Sequence, residues 1–282
     1  MRDLILFGDC RDTLTQFDEK ARCCVTSPPY YGLRNYGDEE NQIGHEQTPE
    51  EYVDEMVKVF RLVRECLTDD GTVWLNIGDS YYNYRPGKGQ ALSKQTLAKN
   101  DQDLPSECAR RGNKLDGLKE KDLIGIPWLL AFALRADGWY LRQDIIWNKP
   151  NPMPESVRDR CTKSHEYIFL LSKSQNYYFD VDAIKEPTRR KRSVWDITKK
   201  PYKDAHFAVF PPDLIEPCIK AGSERGDIIL DPFMGSGTTA MVSKQLGRDY
   251  IGCELHEEYG KLIQDRLQPV SYTHLRAHET AV

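Results

Sequence analysis

Two spacings of hydrophobic positions divide this 282-residue chain into predicted helices and strands. Apolar residues three and four positions apart predict amphipathic helices, and short apolar runs bounded by turn residues predict buried strands. The predicted helices are 48–67, 126–136, 212–221 and 239–246. The predicted strands are 21–26, 72–77, 140–147, 166–172, 227–230 and 250–254, with a turn at 69–71. Strands that alternate with helices indicate an α/β fold with a doubly wound, mostly parallel, Rossmann-like sheet.

Two internal stretches and one terminal stretch break this pattern. Residues 84–122 lose apolar periodicity and predict a long loop or insertion. Residues 185–203 hold eight basic residues against two acidic ones, which fits either phosphate contact or a solvated loop. Residues 271–282 have no apolar period and resemble a sequencing-adapter read-through. We expect that tail to be non-native, which would mean that the natural C-terminus is missing.

Composition narrows the class of protein. Lys and Arg total 39 and Asp and Glu total 44, so a net charge of −5 excludes a uniformly basic surface but not a local basic patch. No apolar run approaches the roughly 20 residues that span a bilayer. The eight cysteines form no C-x-x-C pair and the histidines show no metal-ligand spacing, so no metal site is predicted. Without a secretory signal at its start, the chain is expected in the cytoplasm with reduced thiols.

A glycine-rich segment at 231–239 leaves one predicted strand and opens the next helix. Gly235 and Gly237 allow a ligand to approach the backbone, and the helix start offers free N–H groups. Glu254 ends the following strand, where a carboxylate can accept hydrogen bonds from ribose hydroxyls. The pattern predicts a nucleotide-like ligand, with a plain strand-to-helix turn as the alternative. A phosphate loop is disfavoured because no Gly-Lys-Ser/Thr follows.

A second segment, Thr26 followed by Ser27, Pro28, Pro29 and Tyr30, ends the strand 21–26. Two prolines fix the path of the chain, so a backbone carbonyl and the Ser27 hydroxyl can converge on one point. Both groups accept hydrogen bonds, which suits the two amino protons of a planar base, and Tyr30 can stack on the face of that base. A rigid loop with no chemistry is the alternative.

In this order the two segments resemble the β-arrangement DNA amino-methyltransferases, in which the catalytic half precedes the half that binds S-adenosylmethionine. Three further segments resemble that family: Gly8-Asp9 on the adenine side of the cofactor, 144–151 beside the base pocket, and 206–211 at the methionine end of the cofactor. The resemblance implies that catalysis falls to Ser27, Pro28, Pro29 and Tyr30. It implies cofactor contacts from Asp9, Phe207, Asp231, Pro232, Phe233, Gly235, Ser236, Gly237, Thr238, Thr239 and Glu254.

The resemblance also implies how the chain is organised and what it binds. We expect one catalytic methyltransferase domain at 1–269, with the 84–122 insertion, a target-recognition region at 151–205, a cofactor-binding half at 206–269 and the tail at 270–282. Double-stranded DNA is the expected substrate, a cognate restriction endonuclease is a candidate partner, and the setting is a bacterial or phage-infected cell. The expected DNA contacts are Lys149, Arg189, Arg190, Lys191 and Arg192.

The implied reaction is direct transfer to an exocyclic amino group of a flipped base, without a covalent intermediate. Family members with Ser at the position of Ser27 mostly methylate cytosine N4 and those with Asp mostly adenine N6, so cytosine N4 is favoured. A C5-cytosine enzyme would need a cysteine nucleophile, and Cys218 after Pro217 is better explained as a buried thiol. An RNA or protein-amide methyltransferase, a non-catalytic DNA-binding fragment and a nucleotide hydrolase are the remaining alternatives.

Overall fold

The computed structural model describes residues 2–32, 42–82, 115, 117–198 and 210–268. Most of the 84–122 insertion, Phe207 and the 270–282 tail lie outside these ranges, so the expectations about them stay predictions. Within the described residues no helix is both long and apolar enough to cross a membrane.

The described strands form one sheet in the order β1-β8-β7-β2-β3-β5-β4-β6. Their bounds are β1 (Leu4–Phe7), β2 (Ala21–Thr26), β3 (Leu67–Ile77), β4 (Tyr140–Asn148), β5 (His165–Ser172), β6 (Val194–Asp196), β7 (Ile228–Asp231) and β8 (Asp249–Glu254). Only β5, among these strands, runs antiparallel to its neighbours β3 and β4. The carboxyl ends of the other strands and the start of β5 therefore lie at one edge of the sheet.

Helices cover both faces of this sheet: α1 (Cys10–Thr13), α2 (Pro49–Cys66), α3 (Ile126–Ala136), α4 (Pro212–Gly222), α5 (Thr238–Gln245) and α6 (Tyr259–Leu267). Successive residues of a strand point to opposite faces. Accordingly, Cys24 packs in a cluster with α2 and α3, whereas Cys23 and Val25 pack in a cluster with α4 and Val242 of α5. The predicted doubly wound, mostly parallel sheet is confirmed.

Helix α2 shows how the sequence sets an element boundary. Thr48 is its N-cap and accepts a hydrogen bond from the Glu51 N–H, while the Glu51 carboxylate accepts one from the Thr48 N–H. This reciprocal pair satisfies two backbone donors that a helix start otherwise leaves free. Pro49 follows at the first helical position, where its missing N–H carries no penalty. The helix predicted at 48–67 is confirmed.

The turn predicted at 69–71 is wrong, because these residues belong to β3. The pairing of β2 with β3 passes from Ala21 opposite Leu67 to Cys23 opposite Thr72, so β3 advances five residues while β2 advances two. The extra residues bulge out of the ladder and find other partners: the Tyr178 N–H donates to Asp70 O and the Lys173 N–H donates to Gly71 O. A local turn signal thus marks a bulge within one long strand.

Candidate active site

Both predicted motif loops begin at the same edge of the sheet, after two neighbouring strands. The turn from Ser27 to Tyr30 follows β2, the glycine-rich loop at 232–237 follows β7, and β2 pairs with β7. Ligands of open α/β sheets bind outside the carboxyl ends of the strands, which is where these loops meet. The sequence-predicted catalytic and cofactor segments therefore lie side by side.

One buried carboxylate joins the two loops. Asp231 is 1% exposed, and its carboxylate accepts hydrogen bonds from the Thr26 hydroxyl at 2.7 Å, the Thr239 hydroxyl at 2.6 Å and the Phe233 N–H at 3.0 Å. Burial raises the pKa of Asp231 to about 6, although these hydrogen bonds oppose the shift. With its oxygens engaged inside the protein, Asp231 positions both loops rather than presenting a free carboxylate to a ligand.

The glycine-rich loop is held against the end of β8 by Glu254. The Glu254 carboxylate accepts hydrogen bonds from the Gly235 N–H at 2.7 Å and the His256 N–H at 3.0 Å, and burial raises its pKa. The Glu254 carbonyl accepts the Gly8 N–H at 2.8 Å. The segment between β1 and α1 therefore lies beside the end of β8, and the cofactor contact expected of Asp9 stays a prediction.

The Asp9 side chain has a structural role at the start of α1. It is the N-cap of α1, accepting the Arg11 N–H at 2.8 Å, and its carboxylate also pairs with the Arg11 side chain. Burial alone would raise the pKa of Asp9, but the hydrogen bonds from Arg11 outweigh burial and lower it. The carboxylate is partly buried, is bound by Arg11 and stays ionised.

The glycine-rich loop has the features of a ligand cradle. Gly235 has a φ of +53°, and among the described residues a Cβ placed on it would meet nothing nearer than Phe233 O at 3.9 Å, which leaves open space beside it. Ser236 Oγ and His256 Nε2 are buried without a hydrogen-bond partner among the described residues. Buried polar atoms usually have partners, so these two groups fit a polar ligand that they would contact. The loop therefore suits a nucleotide-like cofactor.

The other members of the loop differ in exposure. Phe233 and Gly235 are partly exposed, whereas Pro232, Gly237, Thr238 and Thr239 are buried. The Thr238 hydroxyl accepts a hydrogen bond from Arg266, and a Cβ on Gly237 would lie 3.0 Å from Ile263. The buried members Thr238 and Gly237 therefore connect the loop to α6.

The turn after β2 is shaped by its neighbours. The Pro29 carbonyl accepts the Tyr52 hydroxyl at 2.9 Å, whereas the Pro28 carbonyl has no donor among the described residues. The Tyr30 ring lies on Gly78, since a Cβ there would be 2.7 Å from the ring. Ser27 Oγ lies 3.4 Å from the Tyr30 hydroxyl oxygen. The Ser27 hydroxyl and the Pro28 carbonyl are the acceptors that the sequence predicts for an amino group.

Further polar side chains surround the Tyr30 hydroxyl, and two of them, Asn76 and Glu166, carry no signal in the sequence. The Tyr30 hydroxyl donates to Glu166 Oε2 at 2.8 Å, and Asn76 lies beside both groups. Burial, and then the Glu166 charge, raise the pKa of Tyr30 well above its ordinary value. Glu166 also forms an ion pair with Lys149, whose side chain is only 11% exposed. Lys149 is therefore engaged by Glu166 and largely withdrawn from solvent, and the DNA contact expected of it stays a prediction.

The basic segment 185–203 contains the edge strand β6, and its run of basic residues at 189–192 precedes that strand. Arg189 pairs with Glu186, and the Lys191 ammonium lies 4.9 Å from the Trp195 ring centre. Arg190 and Arg192 are both exposed, and neither is held by an ion pair among the described residues. Both side chains are accessible to a phosphate, and their contact with DNA stays a prediction.

Remaining candidates from the sequence have structural positions. Cys218 is 1% exposed, its Sγ lies 3.5 Å from the Leu214 carbonyl, and burial raises its pKa, which fits an ordinary core thiol. Asp144 is an exposed residue of β4. The described residues contain no group of three His, Cys, Asp or Glu side chains placed to hold a metal ion.

Fold and site together define a Rossmann-like methyltransferase. Among solved structures, the PvuII DNA methyltransferase (cytosine-N4-specific) matches with a TM-score of 0.71 and 20% identity over 96% of this chain and 88% of its own. The Thermus thermophilus protein TTHA0409, a putative DNA modification methylase complexed with S-adenosyl-L-methionine, matches with a TM-score of 0.64 and 24% identity, over 93% of this chain and 92% of that one. At these identities the likeness concerns the fold.

Sequence comparison gives the family. The DNA methylase model for N6 and N4 methyltransferases matches residues 21–265, and this chain belongs to that family. The type II methyltransferase M.SmaI of Serratia marcescens is 49% identical over 93% of this chain and 90% of its own length. The type II methyltransferase M.XycI of Xanthomonas campestris pv. cyanopsidis is 50% identical over 95% of this chain and 89% of its own length.

Proposed function

We propose that this protein transfers a methyl group from S-adenosylmethionine to the exocyclic amino group of a flipped DNA base, at cytosine N4. The observation that carries the proposal is the bridge at Asp231, whose carboxylate binds Thr26 before the Ser27 turn and Thr239 after the glycine-rich loop. An acceptor site for an amino group and a cradle for a nucleotide-like cofactor are thereby held next to each other. Proximity of this kind is the main requirement for a direct transfer.

On the cofactor side, the loop at 232–237 and Glu254 would hold S-adenosylmethionine, which supplies an activated methyl group on a sulfonium sulfur. Glu254 has two carboxylate oxygens, each of which accepts one backbone N–H and retains capacity for a ribose hydroxyl. Ser236 Oγ and His256 Nε2 offer further polar contacts. Gly235 leaves room for the ligand beside the backbone.

On the base side, the Ser27 hydroxyl and the Pro28 carbonyl would accept the two amino hydrogens. An exocyclic amino group is a weak nucleophile because its lone pair is delocalised into the ring. Two fixed acceptors hold the nitrogen so that its lone pair points at the methyl group, and they stabilise the positive charge that develops on nitrogen. Tyr30 would support the flipped base by stacking, which is sequence-tolerant and separate from the hydrogen bonds.

Cytosine is proposed over adenine because Ser27 stands where the resembled family has Ser for N4 and Asp for N6. Both bases present an amino group to the same two acceptors, so the mechanism holds for either. We also propose the domain organisation predicted from the sequence, with double-stranded DNA as substrate and a cognate endonuclease as a partner of the type II system that the relatives' names describe.

The test is an assay of methylated nucleosides. We expect purified protein, incubated with mixed-sequence DNA and S-adenosylmethionine, to yield N4-methylcytosine on digestion and mass spectrometry. Ser27→Ala should slow transfer by about a hundredfold, because one of two acceptors is removed. Glu216→Gln, which removes an exposed carboxylate paired with Lys220 on α4, is the matched control. N6-methyladenine would overturn the choice of base alone, and no methylated nucleoside would overturn the function.

A pair of alanine variants tests the cofactor cradle. Gly235→Ala places a methyl group in the open space beside the loop, so the Kd for S-adenosylmethionine should rise by about tenfold or more, with a decrease of about 1 kcal/mol in stability from the positive φ. Gly237→Ala drives a methyl group against Ile263, so the free energy of unfolding should fall more, by about 1–3 kcal/mol. Calorimetric titration and denaturant unfolding measure both. Unchanged affinity in Gly235→Ala would place the cofactor elsewhere.

A further inference from the structure

Four neighbouring strands place one chain of polar groups across the active-site edge of the sheet. The groups are Ser27 and Tyr30 after β2, Asn76 near the end of β3, Glu166 near the start of β5 and Lys149 directly after β4. Glu166 reaches this edge because β5 runs antiparallel to β3 and β4. Each strand contributes residues that are distant in sequence from those of the other three strands. The pairing of the strands is therefore what brings these polar groups together.

Each of these polar groups can only donate, only accept, or do both. These capacities determine which group donates and which accepts in each hydrogen bond between them. The carboxylate of Glu166 is an acceptor only, and Lys149 is a donor only. Glu166 Oε1 pairs with Lys149, and Oε2 accepts a hydrogen bond from the Tyr30 hydroxyl, with 2.8 Å between the two oxygens. Asn76 Oδ1 is a longer alternative acceptor at 3.3 Å, and a charged acceptor at shorter distance prevails. The Tyr30 proton therefore points to Glu166.

The same reasoning determines which of Ser27 and Tyr30 donates the hydrogen bond between them. With its own proton committed to Glu166, the Tyr30 oxygen offers a lone pair to the Ser27 hydroxyl, 3.4 Å away. Ser27 then donates to Tyr30, and the lone pairs of its oxygen face away from Tyr30. A serine hydroxyl has one proton and two lone pairs. Because the proton of Ser27 is donated to Tyr30, the hydroxyl can only accept a hydrogen bond from a further partner.

Resting on the proposed function, we propose that Glu166 is a positioning residue that turns the Ser27 hydroxyl into a hydrogen-bond acceptor for the target amino group. Without Glu166, the Ser27 proton is free to point at the amino group, where a second donor would meet the amino hydrogens. Lys149 compensates the buried charge of Glu166, since the two side chains are 11% and 16% exposed. Asn76 fixes the carboxylate from the side, donating to it at 3.4 Å and to the Tyr167 carbonyl at 3.1 Å.

The first test uses Glu166→Gln, with Glu216→Gln as the matched control. A glutamine amide can donate to Tyr30, which reverses the direction of the chain and leaves the shape almost unchanged. We expect the single-turnover rate of methyl transfer to fall at least about tenfold in Glu166→Gln, with the Kd for S-adenosylmethionine unchanged. Because Glu166→Gln leaves Lys149 buried without its counter-ion, the double variant Lys149→Met with Glu166→Gln checks the result in a neutral pocket.

Tyr30→Phe separates the hydroxyl from the stacking ring. Phe retains the ring, so any decrease in rate reports on the chain of hydrogen bonds. Tyr30→Phe should slow transfer to a similar extent as Glu166→Gln, and the combination should add little, because both changes interrupt the same chain. Additive effects would show that the two side chains act independently and would overturn the proposal.

The hydrogen bond itself can be measured without activity. With tyrosine labelled by carbon-13 at its ζ carbon, the Tyr30 resonance, assigned by its disappearance in Tyr30→Phe, should shift in Glu166→Gln and not in Glu216→Gln. A resonance that does not shift in Glu166→Gln overturns the proposal. A Glu166→Gln variant that transfers methyl groups as fast as an active wild type also overturns it. A wild type that methylates no base overturns the proposed function instead, so the two failures are distinguishable.

Discussion

At residue scale, Asp231 shows how one side chain can organise two loops. Its carboxylate is 1% exposed and accepts three hydrogen bonds, yet burial still raises its pKa from 3.8 to about 6. The desolvation of the charge therefore outweighs the three bonds. The protein keeps an ionised group where an uncharged one would be less costly, because its two oxygens reach Thr26 and Thr239 at the same time.

This balance predicts how stability depends on pH. The folded carboxyl group binds its proton more tightly than the unfolded one, so its contribution to the free energy of unfolding falls as pH rises from about 4 to about 6. The decrease amounts to about 3 kcal/mol and is complete above the folded pKa. Denaturant unfolding of the wild type and of Asp231→Asn should be measured across this pH range. The difference between their free energies of unfolding should shrink as pH rises. Curves that stay parallel would contradict the prediction.

Residue-level signals locate the two loops but not the partners that hold them. The Pro-Pro turn and the glycines are local signals, because backbone geometry depends on the residues themselves. Glu166 carries no such signal, since an acidic residue at a strand start is ordinary until the sheet places it beside Tyr30. The sequence assigns Lys149 to DNA for the same reason, since a lysine after a strand gives no indication of a buried partner.

At element scale, length and periodicity decide what the sequence can predict. Long elements such as α2 and α3 are predicted within a residue or two, because their apolar faces repeat over several turns. Strands β1 and β6, of four and three residues, are not predicted, whereas β7, also of four residues, is predicted because its apolar run leads into the glycine-rich segment. Strand β6 also lies inside the basic segment, where charge dominates the pattern.

That segment predicts a salt dependence of DNA binding. Removing one phosphate-binding charge should reduce the slope of log affinity against log salt by about 1. Arg190→Ala with Arg192→Ala should lower the slope by about 2, because both guanidinium groups are accessible to a phosphate. Lys149→Ala should leave the slope unchanged, because its charge is already paired with Glu166. Fluorescence anisotropy at several salt concentrations measures these slopes, and an effect of Lys149→Ala equal to that of the arginines would refute the assignment.

At the scale of the whole molecule, the sheet separates two apolar layers that contain most of the described cysteines. Six are buried and free: Cys10, Cys23, Cys24, Cys66, Cys218 and Cys253. Burial raises the pKa of each of these thiols. Cys161 is exposed. Because the thiolate is the reactive form, the two groups should differ in reactivity.

Alkylation of the native protein should therefore modify Cys161 before the other described cysteines. The six buried thiols should react only as fast as the molecule opens, and denaturant should release all of them together. Timed treatment with iodoacetamide and peptide mass spectrometry would follow each site. Early modification of Cys23 or Cys218 would mean that the layer between the sheet and α4 opens on its own.

Strand β1 and α6, the last helix among the described residues, lie close enough that the order of segments along the chain is not fixed by the fold. Strand β1 pairs with β8, and α6 packs so closely that a Cβ on Gly260 would lie 3.1 Å from the Phe7 ring. A short linker from α6 to β1, with a new opening between β6 and α4, would place the cofactor-binding segments first. Every strand would keep its neighbours. The order of the two halves therefore depends only on where the termini lie. Circularly permuted genes could encode the same active site.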